Sequence, residues 1–174
     1  MSTENSYTEI DPKGVFTVVL AKQDFKFSSG HFTIFGPDEA EWMHGHNYTV
    51  KVEFTGRALD SVEMVVNFVD TKKAIRALCE RLDTQVLLPE NSPLLEIERL
   101  DDGRHLELRY ADRRYVMPEE DVQILPVVNT SVEAFARFFW QYLDRELDLS
   151  HLDSMGVCID ETDGQGCWYR APLG

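Results

Sequence analysis

The stretch His44-Gly45-His46-Asn47-Tyr48-Thr49-Val50-Lys51-Val52-Glu53-Phe54 decides how this chain is read. Apolar Tyr48, Val50, Val52 and Phe54 alternate with polar Asn47, Thr49, Lys51 and Glu53, the period of a strand with one buried face. Residues i and i+2 of a strand share a face, so His44 and His46 aim their imidazoles at one point. A third histidine, His31, lies in the preceding strand-like run, where Phe25, Phe27, Phe32 and Ile34 mark Asp24–Ile34. The segment between, Ile34–Met43, holds Gly36-Pro37 and three acids and reads as a loop joining antiparallel strands. That loop can fold His31 beside the other two. Three neutral imidazoles around an open position form the pattern of a catalytic zinc site, because a structural one is usually closed by four protein ligands. The competing reading is a pair of half-buried strand histidines. A metal site that needs a carboxylate three or four residues after the His-x-His pair is excluded, since Thr49, Val50 and Lys51 follow.

Working outward, Val15–Leu20 is a short β-branched run, and residues 1–14 read as a polar leader ending in an Asp11-Pro12-Lys13-Gly14 turn. The spacing of Ile75, Leu78, Cys79 and Leu82 predicts a helix, with Asp70 as its N-cap. A second helix is expected from Thr130, with Glu133 completing a capping box and Val132, Phe135, Ala136, Phe139 and Leu143 as the apolar stripe. Between them, Leu95–Leu100 and Arg104–Tyr110 flank Asp101-Asp102-Gly103, a hairpin signal. Val157–Ile159 and a Gly-rich 161–166 turn close the chain. Strands grouped in hairpins rather than separated by crossovers give an α+β domain with a largely antiparallel sheet.

The 174 residues are 43% apolar, enough for one core, and carry 31 acids against 17 bases, a net charge of −14. So acidic a chain repels phosphate backbones and anionic lipid, which argues against nucleic-acid and membrane roles. No apolar run approaches the roughly 20 residues of a membrane span, and the first residues lack the basic and apolar parts of a signal peptide. Cys79, Cys158 and Cys167 show no paired spacing and read as free thiols of a cytoplasmic protein.

The strings Phe27-Ser28-Ser29-Gly30-His31 and His44-Gly45-His46-Asn47-Tyr48 resemble the two zinc motifs of the 6-pyruvoyl-tetrahydropterin and 6-carboxytetrahydropterin synthase family. The resemblance continues in order through Met64–Phe68, Leu82-Asp83, Thr130–Glu133 and Glu161-Thr162, over about residues 15–170 apart from an insertion near 94–125. It implies a tunnelling fold: a four-stranded antiparallel sheet with two helices on one face, here with an inserted β-hairpin, in one domain over 15–174. It further implies zinc on His31, His44 and His46 and a dihydroneopterin substrate whose pterin ring is anchored by Glu161 and contacted at Thr130. Assembly through sheet edges, typically into a homohexamer with active sites between subunits, follows from the same likeness. The hairpin near 94–110, outside the matched core, is expected to be peripheral.

Three positions depart from the family pattern. The loop 32–43 contains no cysteine where the catalytic one is expected, the Asp-His pair reads Asp83-Thr84, and Asn67 stands for an aspartate. Glu41, three residues before His44, resembles a variant class in which a glutamate replaces that cysteine and the product is 6-hydroxymethyl-7,8-dihydropterin. Glu41 is therefore the candidate base, provided that its surroundings bring its pKa nearer neutrality, with Asp83 as the surviving relay member. A catalytically degenerate pterin-binding protein is the alternative.

Overall fold

A computed structural model describes residues 7–9 and 13–174. The strands are β1 (Thr8–Glu9), β2 (Phe16–Leu20), β3 (Lys26–His31), β4 (His44–Gly56) and β5 (Ala58–Leu59). Helix α1 (Phe68–Leu82), β6 (Val86–Pro89), β7 (Glu96–Arg99), β8 (His105–Tyr110), β9 (Arg113–Pro118) and β10 (Val122–Leu125) follow. Helix α2 (Val132–Glu146), β11 (Ser154–Thr162) and β12 (Gln165–Pro172) complete the chain.

The 13-residue β4 organises the rest. Along one edge it pairs antiparallel with β3, from His31↔His44 to Lys26↔Thr49, and then with β2, from Leu20↔Val52 to Phe16↔Gly56. Its other edge takes β11, and β12 folds back on β11. Counting β2 and β3 as one interrupted strand, this is the expected four-stranded antiparallel sheet. Two short parallel additions, β6 beside β3 and β10 beside β6, extend it.

The alternation read in residues 47–54 is the burial pattern observed. Tyr48, Val50, Val52 and Phe54 are sealed under α1 and α2 with Ile75, Leu78, Leu82, Phe135, Phe139 and Leu143. Phe27 stacks on Tyr48 and Phe139, at ring-centroid distances of 4.8 and 5.6 Å. On the opposite face, Lys51 pairs with Asp160 and Glu53 with Arg170. Among the described residues no helix is long and apolar enough to cross a membrane.

Both helix starts differ from the sequence reading. Asn67, not Asp70, caps α1: its side chain accepts from the Val69 N–H at 2.8 Å, while Asp70 lies in the first turn. Ser131, not Thr130, caps α2 by accepting from the Ala134 N–H, and Thr130 turns inward. The final segment is a long hairpin, β11–β12, rather than one strand and a turn, and Gly164 takes the left-handed φ of +81° there. Of the expected leader, Asp11 and Pro12 of the turn lie outside the described residues. Thr8 and Glu9 pair with Leu59 and Ala58, and the Tyr7 ring stacks on His151 at 3.6 Å, so that part is docked.

The insertion corrects the expectation most. It is a three-stranded antiparallel sheet, β7-β8-β9, and it is not peripheral. Leu95, Leu108 and Tyr110 form a second core with Phe32, Ile34 and Leu88, joined by Ala40, Met43, Tyr115 and Met117. The inserted sheet thus packs on the loop between β3 and β4. Leu108, fully buried at this junction, is the sensitive position. Leu108→Ala is expected to lower stability by about 2–5 kcal/mol in reversible urea unfolding; a loss below about 0.5 kcal/mol would mean that the second core is not cooperative with the first.

Candidate metal centre

The antiparallel register sets His31, the last residue of β3, directly opposite His44, the first of β4, and His46 follows on the same face. Gly45 between them sits in a tight place: a Cβ there would stand 3.1 Å from the Ser29 carbonyl oxygen, closer than most such contacts. Ring centroids are 4.7 Å apart for His31–His44, 5.3 Å for His31–His46 and 4.7 Å for His44–His46. Each ring offers a ligand nitrogen, and these atoms lie within 4.8 Å of one another.

The hydrogen bonds fix which nitrogens are offered. His31 Nδ1 lies 2.9 Å from the Thr130 carbonyl, and His44 Nδ1 lies 2.8 Å from the Trp42 carbonyl. A carbonyl only accepts, so both Nδ1 atoms carry the proton and both Nε2 atoms present a lone pair. His31 Nε2 is buried and makes no hydrogen bond, although Glu161 Oε1 lies 3.3 Å away at an unsuitable angle. Burial is the largest influence on His31 and pushes its pKa down, helped by His44 and His46 and opposed by the Thr130 bond and Glu161. A neutral, desolvated imidazole with an unused lone pair, beside two more, suits a zinc-like cation.

Glu161, at the end of β11, completes the floor. Its Oε1 lies 3.3 Å from His46 Nε2 and accepts from the Tyr48 hydroxyl at 3.3 Å. Tyr48 is the residue that the sequence reading quoted but left without a role. Its place two residues after His46 on the same face was the available signal. Burial first, then Glu161, pushes its phenol pKa up, so it stays a neutral donor.

Glu41 sits on the loop before His44, folded back by two bonds to Thr33. Its Oε2 accepts from the Thr33 N–H at 2.8 Å, and its own N–H donates to the Thr33 carbonyl at 2.9 Å. Burial pushes its pKa up, but the Thr33 bonds and the nearby His44 and His31 outweigh it, and the net shift is downward. The condition that its surroundings raise the pKa toward neutrality is therefore not met.

Thr130 and Asp83 are placed differently from expectation. Thr130 is fully buried; its hydroxyl donates to the Phe32 carbonyl at 2.8 Å while its own carbonyl holds His31. Its backbone carbonyl thus orients the histidine, and its hydroxyl ties this segment to Phe32. Asp83 caps the end of α1 and accepts from the Ser28 N–H at 2.7 Å. It is not part of the three-histidine group within one chain. Thr84 beside it holds a left-handed φ of 63°, unusual for a β-branched residue.

A profile of the 6-pyruvoyl tetrahydropterin synthase family matches residues 20–172. The chain belongs to that family. Members of the 6-pyruvoyl tetrahydropterin synthase family are lyases that act on pterins, and this chain carries their fold together with a cluster of three histidines that could hold a metal. It is 34% identical over 151 residues to a Methanocaldococcus jannaschii protein provisionally named a 6-carboxy-5,6,7,8-tetrahydropterin synthase, covering 85% of this chain and 91% of that one. A 6-carboxy-5,6,7,8-tetrahydropterin synthase of Aquifex aeolicus is 27% identical over 133 residues, 74% of each chain. The crystal structure of a Plasmodium vivax 6-pyruvoyl tetrahydropterin synthase superposes with a TM-score of 0.85 at 24% identity, over 92% of this chain and all of that one.

Thr130→Val keeps the carbonyl that holds His31 but removes the hydroxyl that ties this segment to Phe32. Its zinc affinity, titrated against a chelating dye, is expected to fall by on the order of 10–100-fold; an unchanged affinity would show that the tie does not orient the ligand.

Proposed function

We propose that the chain is a zinc-dependent lyase that cleaves the side chain of 7,8-dihydroneopterin triphosphate, or of dihydroneopterin, to 6-hydroxymethyl-7,8-dihydropterin, with Glu41 as the base. The observation that carries this reading is the convergence of three histidine nitrogens, with Glu161 3.3 Å from two of them and Glu41 close enough to feel His44 and His31, in a cluster that includes none of the three cysteines. Cys79 is buried in the α1 core and pushed up to about 12, and Cys158 lies in β11, pushed up to about 11, chiefly by burial. Neither supplies a thiolate at neutral pH. Two Plasmodium vivax variants with a catalytic glutamate changed to Ala or Cys are among the solved structures of this fold and support a carboxylate in the role.

His31, His44 and His46 would hold the zinc, which when bound acidifies the side-chain hydroxyls of the substrate. Glu41, ionised at neutral pH, accepts the proton of the C2′ hydroxyl. The C1′–C2′ bond then breaks with its electron pair moving toward the pterin ring, and the carboxyl returns the proton to C1′ as a two-carbon aldehyde leaves. A base with a lowered pKa is weak, so the reading requires an acidified hydroxyl. Glu161, steadied by Tyr48, accepts from the 2-amino and N3–H donors of the pterin edge.

Asp83 joins the site only if a neighbouring subunit supplies it. Exposed Phe16 and Val19 on β2 support assembly, which we take to be a homohexamer. The three free cysteines support a cytoplasmic setting.

Incubation with 7,8-dihydroneopterin triphosphate and identification of the pterin product by mass spectrometry tests the reading; pterin binding without any metal-dependent turnover would replace it with the degenerate binder. Glu41→Gln is expected to lower kcat by on the order of 10²–10⁴ at unchanged zinc content, whereas His44→Ala loses zinc and turnover together. Glu161→Gln should chiefly raise KM. Light scattering is expected to give a hexamer, and a monomer would exclude a shared site.

A further inference from the structure

The loop that carries Glu41 is acidic; Asn129 holds Ile34 in its first half by two hydrogen bonds, and the backbone of its second half is held by the inserted sheet. Arg113, at the start of β9 in the inserted sheet, donates through Nη2 to the Ala40 carbonyl at 3.1 Å and through Nη1 to the Glu41 carbonyl. Its guanidinium carbon lies 4.4 Å from the centroid of the Trp42 ring. Three consecutive residues, 40–42, are thus gripped by one planar group that supplies two parallel donors and a stacking face, which a lysine cannot match.

The neighbours reinforce the grip. The Tyr110 hydroxyl donates to the Gly36 carbonyl, and Tyr110 and Tyr115 pack against Phe32 at 6.3 and 6.1 Å between centroids. Phe32 directly follows His31, and its carbonyl receives the Thr130 hydroxyl. The inserted sheet therefore touches the chain on both sides of the site, through Phe32 after the first histidine and through residues 40–42 before the second. Trp42 is 76% exposed, and the guanidinium stacks on its ring.

We propose that Arg113 is the positioning residue of the Glu41 loop, so that the inserted sheet sets the placement of the catalytic carboxylate. This rests on the reading of Glu41 as the base. A base misplaced by about an ångström loses on the order of 10²-fold in rate while substrate affinity, held by Glu161, is untouched.

The test uses the zinc-loaded full-length protein and 7,8-dihydroneopterin triphosphate. Arg113→Ala is expected to lower kcat by on the order of 10–100-fold, with KM and zinc content unchanged. Millimolar guanidinium, far below denaturing levels, is expected to restore part of that rate. Arg113→Lys should recover little. In a Glu41→Gln background, Arg113→Ala should cost nothing more, since no base remains to be placed. Wild-type kcat in Arg113→Ala, with Glu41→Gln inactive, would overturn the positioning role and leave the base assignment standing. Wild-type kcat in Glu41→Gln would overturn both. If Arg113→Ala does not fold, amide hydrogen exchange across residues 33–43 of Arg113→Lys decides. Faster exchange at the Thr33 and Glu41 amides than in the wild type is expected, and equal exchange would overturn the proposal.

Discussion

The pairing of His31 with His44 across β3 and β4 is the constraint on which the site depends. A slip of one residue would send His44 and His46 to the outer face and bring Gly45 inward, since side chains alternate with a period of two. The same slip would expose Tyr48, Val50, Val52 and Phe54, which the helices cover. The burial of the main core therefore enforces the geometry of the three-histidine cluster. Gly45 lies across from Gly30 in that register, where a Cβ on Gly45 would meet the Ser29 carbonyl at a tight 3.1 Å.

A second layer turns two strand histidines and a neighbour into a ligand set. His31 and His44 each hand their Nδ1 proton to a backbone carbonyl, one from 99 residues further along the chain and one from two residues back. The long-range bond brings the start of α2 to the end of β3 and makes the centre a property of the whole fold. Glu161 enters from β11, whose register with β4 continues the same sheet.

What was legible in the sequence followed from local periodicity. The alternation in residues 47–54 marked β4 and its buried face, the helical spacings marked α1 and α2, and the His-Gly-His string marked the centre. Residues whose roles depend on distant partners were less legible. Thr130 looked like a helix cap because a hydroxyl beside a helical stripe has that local use; its two bonds to Phe32 and His31 span nearly 100 positions. Asn67 and Ser131 were displaced as caps by equally good neighbours, a choice that tertiary packing makes. β9 was missed because Arg113 and Arg114 interrupt any apolar alternation, and Arg113 carries no local signal at all for a contact 72 residues away.

The chemical state of the three cysteines has a consequence of its own. Burial raises all three thiols above their ordinary pKa, and none lies among the residues that form the metal centre. Thiols kept protonated react slowly with peroxides and alkylating agents. Cys79, Cys158 and Cys167, so protonated, are slow targets for oxidants at neutral pH.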